Sequence, residues 1–83
     1  MNIKITQVDN DFASRYLNIY LDGNYAGYLD RGSSLMLKAE NDIPHMIRAE
    51  VGFYDGELSV NDDTDILISW RLSPPYLILS EQK

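Results

Sequence analysis

Eighty-three residues with thirteen acidic and seven basic side chains carry a formal charge of −6, so the chain is large enough for one hydrophobic core and repels phosphate backbones and anionic head groups. With no cysteine in the sequence, disulfides, thiol nucleophiles and thiolate metal sites are excluded. No window approaches the roughly 18 apolar residues that cross a bilayer, and Met1 to Asp11 lacks a basic stretch followed by an apolar run, so the expectation is a single cytoplasmic domain, kept whole, with no direct contact to nucleic acid or membrane.

Alternation of apolar and polar side chains runs through the chain and predicts strands throughout. Ile3 and Ile5 alternate with Lys4 and Thr6 in a first strand from about Asn2 to Val8, and the Asp/Asn-rich stretch from Val8 to Arg15 reads as a loop. In the segment Tyr16 to Leu21, Leu17, Ile19 and Leu21 share one face, and Tyr16, Asn18 and Tyr20 the other. Asp22-Gly23-Asn24 then supplies residues that tolerate positive φ in a tight hairpin. With a two-residue loop, whether Asp22-Gly23 or Gly23-Asn24, parity places Ala26 and Tyr28 beside Leu17 and Ile19. Tyr25, Gly27 and Leu29 then join Tyr16 and Tyr20. A three-residue loop reverses the assignment.

Asp30-Arg31-Gly32-Ser33 marks the next turn, and Leu35 and Leu37 alternate with Ser34, Met36 and Lys38 in a fourth strand. The loop Glu40 to Pro44 ends it, because proline cannot donate to a central ladder. From His45 onward, Ile47, Ala49, Val51 and Phe53 line one face, while Met46, Arg48, Glu50 and Tyr54 line the other. Asp55-Gly56 is a second hairpin signal, with Leu58 and Val60 on the returning strand. After the loop Asn61 to Asp65, Ile66, Ile68 and Trp70 alternate with Leu67, Ser69 and Arg71. Ser73-Pro74-Pro75 precedes the last strand, Tyr76 to Leu79, beyond which Glu81, Gln82 and Lys83 are expected to fray. Seven or eight short strands at this spacing predict a small antiparallel β-sandwich of Ig-like architecture, with a partly open barrel as the alternative.

The stretch Leu17 to Leu29 resembles the hairpin of PEGA-type domains and related small bacterial β-sandwich modules. In these an apolar strand reaches an Asp-Gly turn and returns through a small apolar residue and a second glycine, matched here by Asp22, Gly23, Ala26 and Gly27. Gly32 and the Leu35/Leu37 alternation are similar to their middle strand, and His45 with Ile47 sits where a histidine often opens the next one. The resemblance covers about residues 16–53 and implies a non-catalytic binding or spacer role without naming a ligand.

Candidate chemistry is sparse. General-base or triad catalysis would have to pass through His45, which has no nucleophile pattern near it and reads as a structural or exposed histidine, so no catalytic residue is assigned. Asp62-Asp63-Thr64-Asp65 carries hard oxygen donors but lacks the glycine and closing glutamate of an EF-hand loop, so no metal or other cofactor is expected. Asp55, Glu57, Asp62, Asp63 and Asp65 follow one another with no intervening base and form a candidate acidic patch for a basic partner, or simply keep a small domain soluble. Tyr16, Asn18, Tyr20 and Tyr25 form the best candidate partner-binding face, since tyrosine offers rigid contact area with a polar tip. The plainer reading packs these rings against the second sheet or pairs them across strands. The leading expectation is a non-catalytic protein that binds another protein through a sheet face or edge strand, or pairs with a second copy as a homodimer. Behind it stand an acidic phage-type inhibitor of a nucleic-acid-handling protein, and a carbohydrate or small-ligand binding domain.

Overall fold

The protein is described by a computed structural model over residues 1–9, 13, 16–72 and 75–82, with the backbone alone at 71, 72, 75 and 76. Most of the expected loop between Val8 and Arg15, the Ser73-Pro74 turn and Lys83 lie outside those residues. Eight strands follow in order: β1 (Asn2–Gln7), β2 (Leu17–Leu21), β3 (Asn24–Leu29), β4 (Ser34–Lys38), β5 (His45–Val51), β6 (Tyr54–Val60), β7 (Thr64–Leu72) and β8 (Pro75–Gln82). They form a sandwich of two four-stranded sheets, sheet I in the order β4-β1-β7-β8 and sheet II in the order β3-β2-β5-β6. Among the described residues there is no helix, and so none long and apolar enough to cross a membrane.

All pairings are antiparallel except that of β1 with β7, where Ile3 to Gln7 run alongside Thr64 to Ile68 in the same direction. A parallel pair requires a long crossover between its strands. Here that crossover contains all of sheet II together with β4, so pairing β1 with β7 joins the β4–β1 and β7–β8 pairs into one sheet.

Alternation sends one face of each sheet inward. Ile3 and Ile5 of β1 and Ile66 and Ile68 of β7 meet Leu17, Ile19 and Ile47 of sheet II, all essentially inaccessible to water. Burying each stabilises the fold by about 1.5–3 kcal/mol relative to exposure. Among the described residues one polar side chain lies wholly inside: Gln7 donates from Nε2 to the carbonyls of Leu29 (3.3 Å) and Asp30 (3.1 Å), tying sheet I to the end of β3.

The β2–β3 hairpin turns on two residues, Asp22-Gly23, with φ of 51° and 84°, the double positive φ of a type I′ turn. Beyond it the expected parity fails. Tyr25 lies opposite Tyr20, but the next partner of Ile19 is Gly27, so Ala26 is an extra residue in a β-bulge. The bulge shifts everything after it by one position. Leu29, expected beside the tyrosines, is buried opposite Leu17. Tyr28, expected beside Leu17 and Ile19, points outward opposite Asn18.

The second hairpin also departs from expectation. It turns at Gly52-Phe53, with Val51 opposite Tyr54, and Asp55-Gly56 lies within β6. Gly52 has φ of 58°, the glycine requirement at the first position of a II′-type turn. Phe53, expected on the core face, is fully exposed at the tip. Tyr54, expected beside Met46 and Arg48, instead packs edge-on against Trp70 with ring centres 5.6 Å apart. The physical reason is at Gly56, where a Cβ would lie 2.8 Å from Leu79 Cδ1 and 3.0 Å from the Leu77 carbonyl oxygen. That glycine is used for the close approach of β6 to β8, not for a turn. At the C-terminus, Glu81 and Gln82 do not fray; they pair with Ile66 and Asp65.

Candidate functional site

The outer face of sheet II is built in rows, because side chains opposite one another in neighbouring strands stand side by side. One row reads Tyr28, Asn18, Glu50, Asp55 from β3 to β6, and the next reads Tyr25, Tyr20, Arg48, Glu57. Met46 and Ser59 begin a third. Tyr16, just before β2, closes the aromatic end against Tyr28, their rings 5.6 Å apart and tilted by 45°. Tyr20 and Tyr25 meet edge-on at 5.8 Å and 72°. Both features weighed in the sequence are therefore present together: the rings pair across strands and remain open to solvent, with Tyr16, Tyr25 and Tyr28 at 66, 61 and 55% exposure.

Of the residues expected to bind a partner, Tyr16, Asn18, Tyr20 and Tyr25 all lie on this face, and the bulge adds Tyr28. The acidic residues divide. Asp55 and Glu57 belong to the same face, at the ends of its two rows. Asp62 and Asp63 occupy the connection between sheets, where Asp63 Oδ1 accepts the Asn2 backbone N–H at 2.7 Å. Asp65 is on the outer side of sheet I, abreast of Lys4. No group of three or more potential ligands among the described residues is placed to hold a metal ion.

Arg48 is the single cation in these rows. Its Nη2 lies 2.8 Å from Asp55 Oδ2 and 3.1 Å from Glu50 Oε2, both in the neighbouring row. Half-exposed pairs of this kind contribute little stability individually, about 0–1 kcal/mol. Their effect is positional: they draw the guanidinium toward the Asn18 row, away from Glu57, the residue it faces in register.

His45 has a structural task. Its Nδ1 is 2.6 Å from Asp22 Oδ2 and its Nε2 is 2.8 Å from the Glu40 carbonyl oxygen. A carbonyl and a carboxylate both accept, so the arrangement is fully satisfied only by an imidazolium that donates from both nitrogens. The Asp22 hydrogen bond, then the Glu40 carbonyl, raise the His45 pKa. The same bond to His45, then the Met46 N–H on Oδ1, lower that of Asp22. His45 thus clamps the Asp22-Gly23 turn to the β4–β5 loop, with both ring nitrogens engaged.

Sequence reasoning missed the role of Asp22, which was read only as a turn former. A histidine opening the strand after a proline is compatible with many partners, and the pairing spans residues distant in sequence. No protein-family model, no curated protein and no solved structure matches this chain. Within Leu17 to Leu29, Asp22 and Gly23 form the turn, Ala26 is the bulge and Gly27 follows it at φ 146°.

Proposed function

We propose that this chain is a non-catalytic interaction module that binds another protein through the outer face of sheet II. The observation that carries this reading is the set of four tyrosines, Tyr16, Tyr20, Tyr25 and Tyr28, standing together on a face where three of them keep more than half of their surface in water. Aromatic side chains clustered on a rigid sheet offer contact area at low entropic cost, and exposed apolar groups gathered in one place mark association surfaces. Adjacent rings lean on one another at 45° and 72°, so they offer no shared plane for a row of sugar rings. The edge strand β3 carries the bulge, a device that blunts strand addition. The face is therefore favoured over the adjoining β3 edge as the contact. The carboxylates that run together in sequence divide, Asp55 and Glu57 on this face and Asp62, Asp63 and Asp65 around hollows at the β6–β7 connection, so the five form no single strip in support of a nucleic-acid-mimicking role.

A photoreactive phenylalanine at position 28 or, as control, at position 4 on the outer side of sheet I tests the proposal in the producing cell. A discrete cross-linked protein obtained from position 28, absent from position 4 and lost on Tyr25→Ser, is the expected result. The same products from both positions would overturn it.

A further inference from the structure

A hollow of about 290 Å³ opens on the outer face of sheet II between Tyr20, Gly23, Met46, Arg48, Glu50 and Glu57. That volume is at the lower limit of small-molecule sites, roughly 300–1,000 Å³, and suits a single inserted side chain. Its walls are of two kinds. Tyr20 and Met46 supply ring and thioether surface, and Glu50 and Glu57 supply carboxylates. Arg48 also lines the hollow, but its guanidinium is held by Glu50 and Asp55 in the adjacent row. Glu57 has no ion-pair partner among the described residues. Across the face, three carboxylates stand against one guanidinium, on a chain whose total charge is already −6.

The geometry points to a lysine or arginine side chain of a partner protein as the occupant of this hollow. The assignment rests on the tyrosine-face reading and gives the partner its chemistry. The alkyl stem of such a side chain packs on Met46 and the Tyr20 ring while its charged head meets Glu57, as amphipathic basic side chains do when the stem is covered and the head stays polar. The neighbouring rings add cation–π attraction. A second copy of this chain is a poor occupant, because two such faces brought together oppose carboxylates with carboxylates. A basic segment of a different protein meets complementary charge and is steered toward the face from a distance.

The test uses random peptides displayed on phage, selected against the whole immobilised chain and counter-selected against its Tyr25→Ser/Tyr28→Ser variant. Peptides that depend on the tyrosines are expected to carry lysine or arginine. Their affinity should fall about three- to tenfold on Glu57→Gln, the range of one exposed charge pair plus a cation–π contact, and should not change on Asp65→Asn. Tyrosine-dependent peptides without a basic residue would overturn this assignment and leave the tyrosine face standing. Loss of all tyrosine-dependent binding would overturn both. Basic peptides weakened equally by Glu57→Gln and Asp65→Asn would reduce the effect to overall charge and overturn the hollow as their site.

Discussion

Replacing Gly56 by alanine adds one methyl group where β6 crosses β8, and the cost follows from what that methyl meets. Leu79 Cδ1 at 2.8 Å is the end of a side chain that can turn aside. The Leu77 carbonyl oxygen at 3.0 Å is backbone in a strand paired to β7, and it can give way only if the two sheets separate. Overpacking of this kind costs about 1–3 kcal/mol, offset by the roughly 0.5–1 kcal/mol by which alanine is favoured over glycine inside a strand. A net loss of about 1–2 kcal/mol is expected. At about 4–8 °C per kcal/mol for a domain of this size, the melting temperature falls by roughly 5–15 °C. Urea unfolding followed by the fluorescence of Trp70, the only tryptophan, measures the change. Adding Leu79→Ala to the Gly56→Ala background removes the side-chain contact but not the carbonyl one, so relief of the overpacking should be partial after allowing for the loss from Leu79→Ala alone. A Gly56→Ala variant as stable as the parent would refute both the register of β6 and the close stacking of the sheets at this point.

Phe53→Ala should change stability by less than about 0.5 kcal/mol, because the ring is already in water at the hairpin tip; a hairpin turning at Asp55-Gly56 would instead bury Phe53 opposite Leu58, and the same variant would lose about 3–5 kcal/mol in a urea titration. Gln7→Leu removes the donor that serves the carbonyls of Leu29 and Asp30 and is expected to cost about 1–3 kcal/mol for the acceptors left unsatisfied; an unchanged urea midpoint would show that water reaches them. For the His45–Asp22 clamp, the histidine's folded pKa lies above its ordinary 6.5, so its contribution is complete below that value and is lost as pH rises through the folded one. The aspartate's folded pKa lies below 3.8, so its contribution holds above that value and is lost as pH falls through the folded one. The urea midpoint should therefore be highest between about pH 4 and 6.5 and decline above it, and His45→Gln should flatten the alkaline limb; a limb equally steep in the variant would remove the clamp from the account.

Side-chain alternation was enough to locate all eight strands and their inward residues where the strands are regular. Ile3 and Ile5, Ile66 and Ile68, and Leu35 and Leu37 each sit where a period of two puts them. It could not choose between the two registers of the β5–β6 hairpin. A turn at Gly52-Phe53 and one at Asp55-Gly56 both leave Leu58 and Val60 facing the core, so the returning strand does not discriminate, and burial of Phe53 favours the second. Turn propensity then favours Asp-Gly, and only the approach of β8 to Gly56 decides against it. The parallel pairing of β1 with β7 was equally invisible, because strand direction leaves no mark on alternation. For the candidate site, Tyr16, Tyr20 and Tyr25 were legible as one face. That Asp55 and Glu57 complete its rows depends on β2 and β6 flanking the same strand, β5, a fact of topology that no local pattern encodes.

Tyr28 lies on that face because Ala26 stands outside the β2–β3 ladder. An isolated deletion inside a strand usually sends all following side chains to the wrong side of the sheet. Here the opposite is expected, because Ala26 has no partner in the β2 ladder: without it, Tyr25 still meets Tyr20, and Gly27 follows directly opposite Ile19. Removing Ala26 should leave Leu29 buried and Tyr28 outward, at the loss of the partly buried methyl group, about 1 kcal/mol. Deleting Met36 from β4, where every residue from Ser34 to Lys38 has its partner in β1, should instead drive Leu35 or Leu37 out of the core and unfold the chain. Near-ultraviolet circular dichroism and urea midpoints of the two deletions make the comparison, and equal damage from both would show that Ala26 is an integral ladder residue. The unbulged edge should also be flatter and more open to pairing, so the Ala26 deletion is expected to self-associate with concentration in light scattering while the parent does not. That outcome would assign the bulge the task of keeping β3 from recruiting a strand.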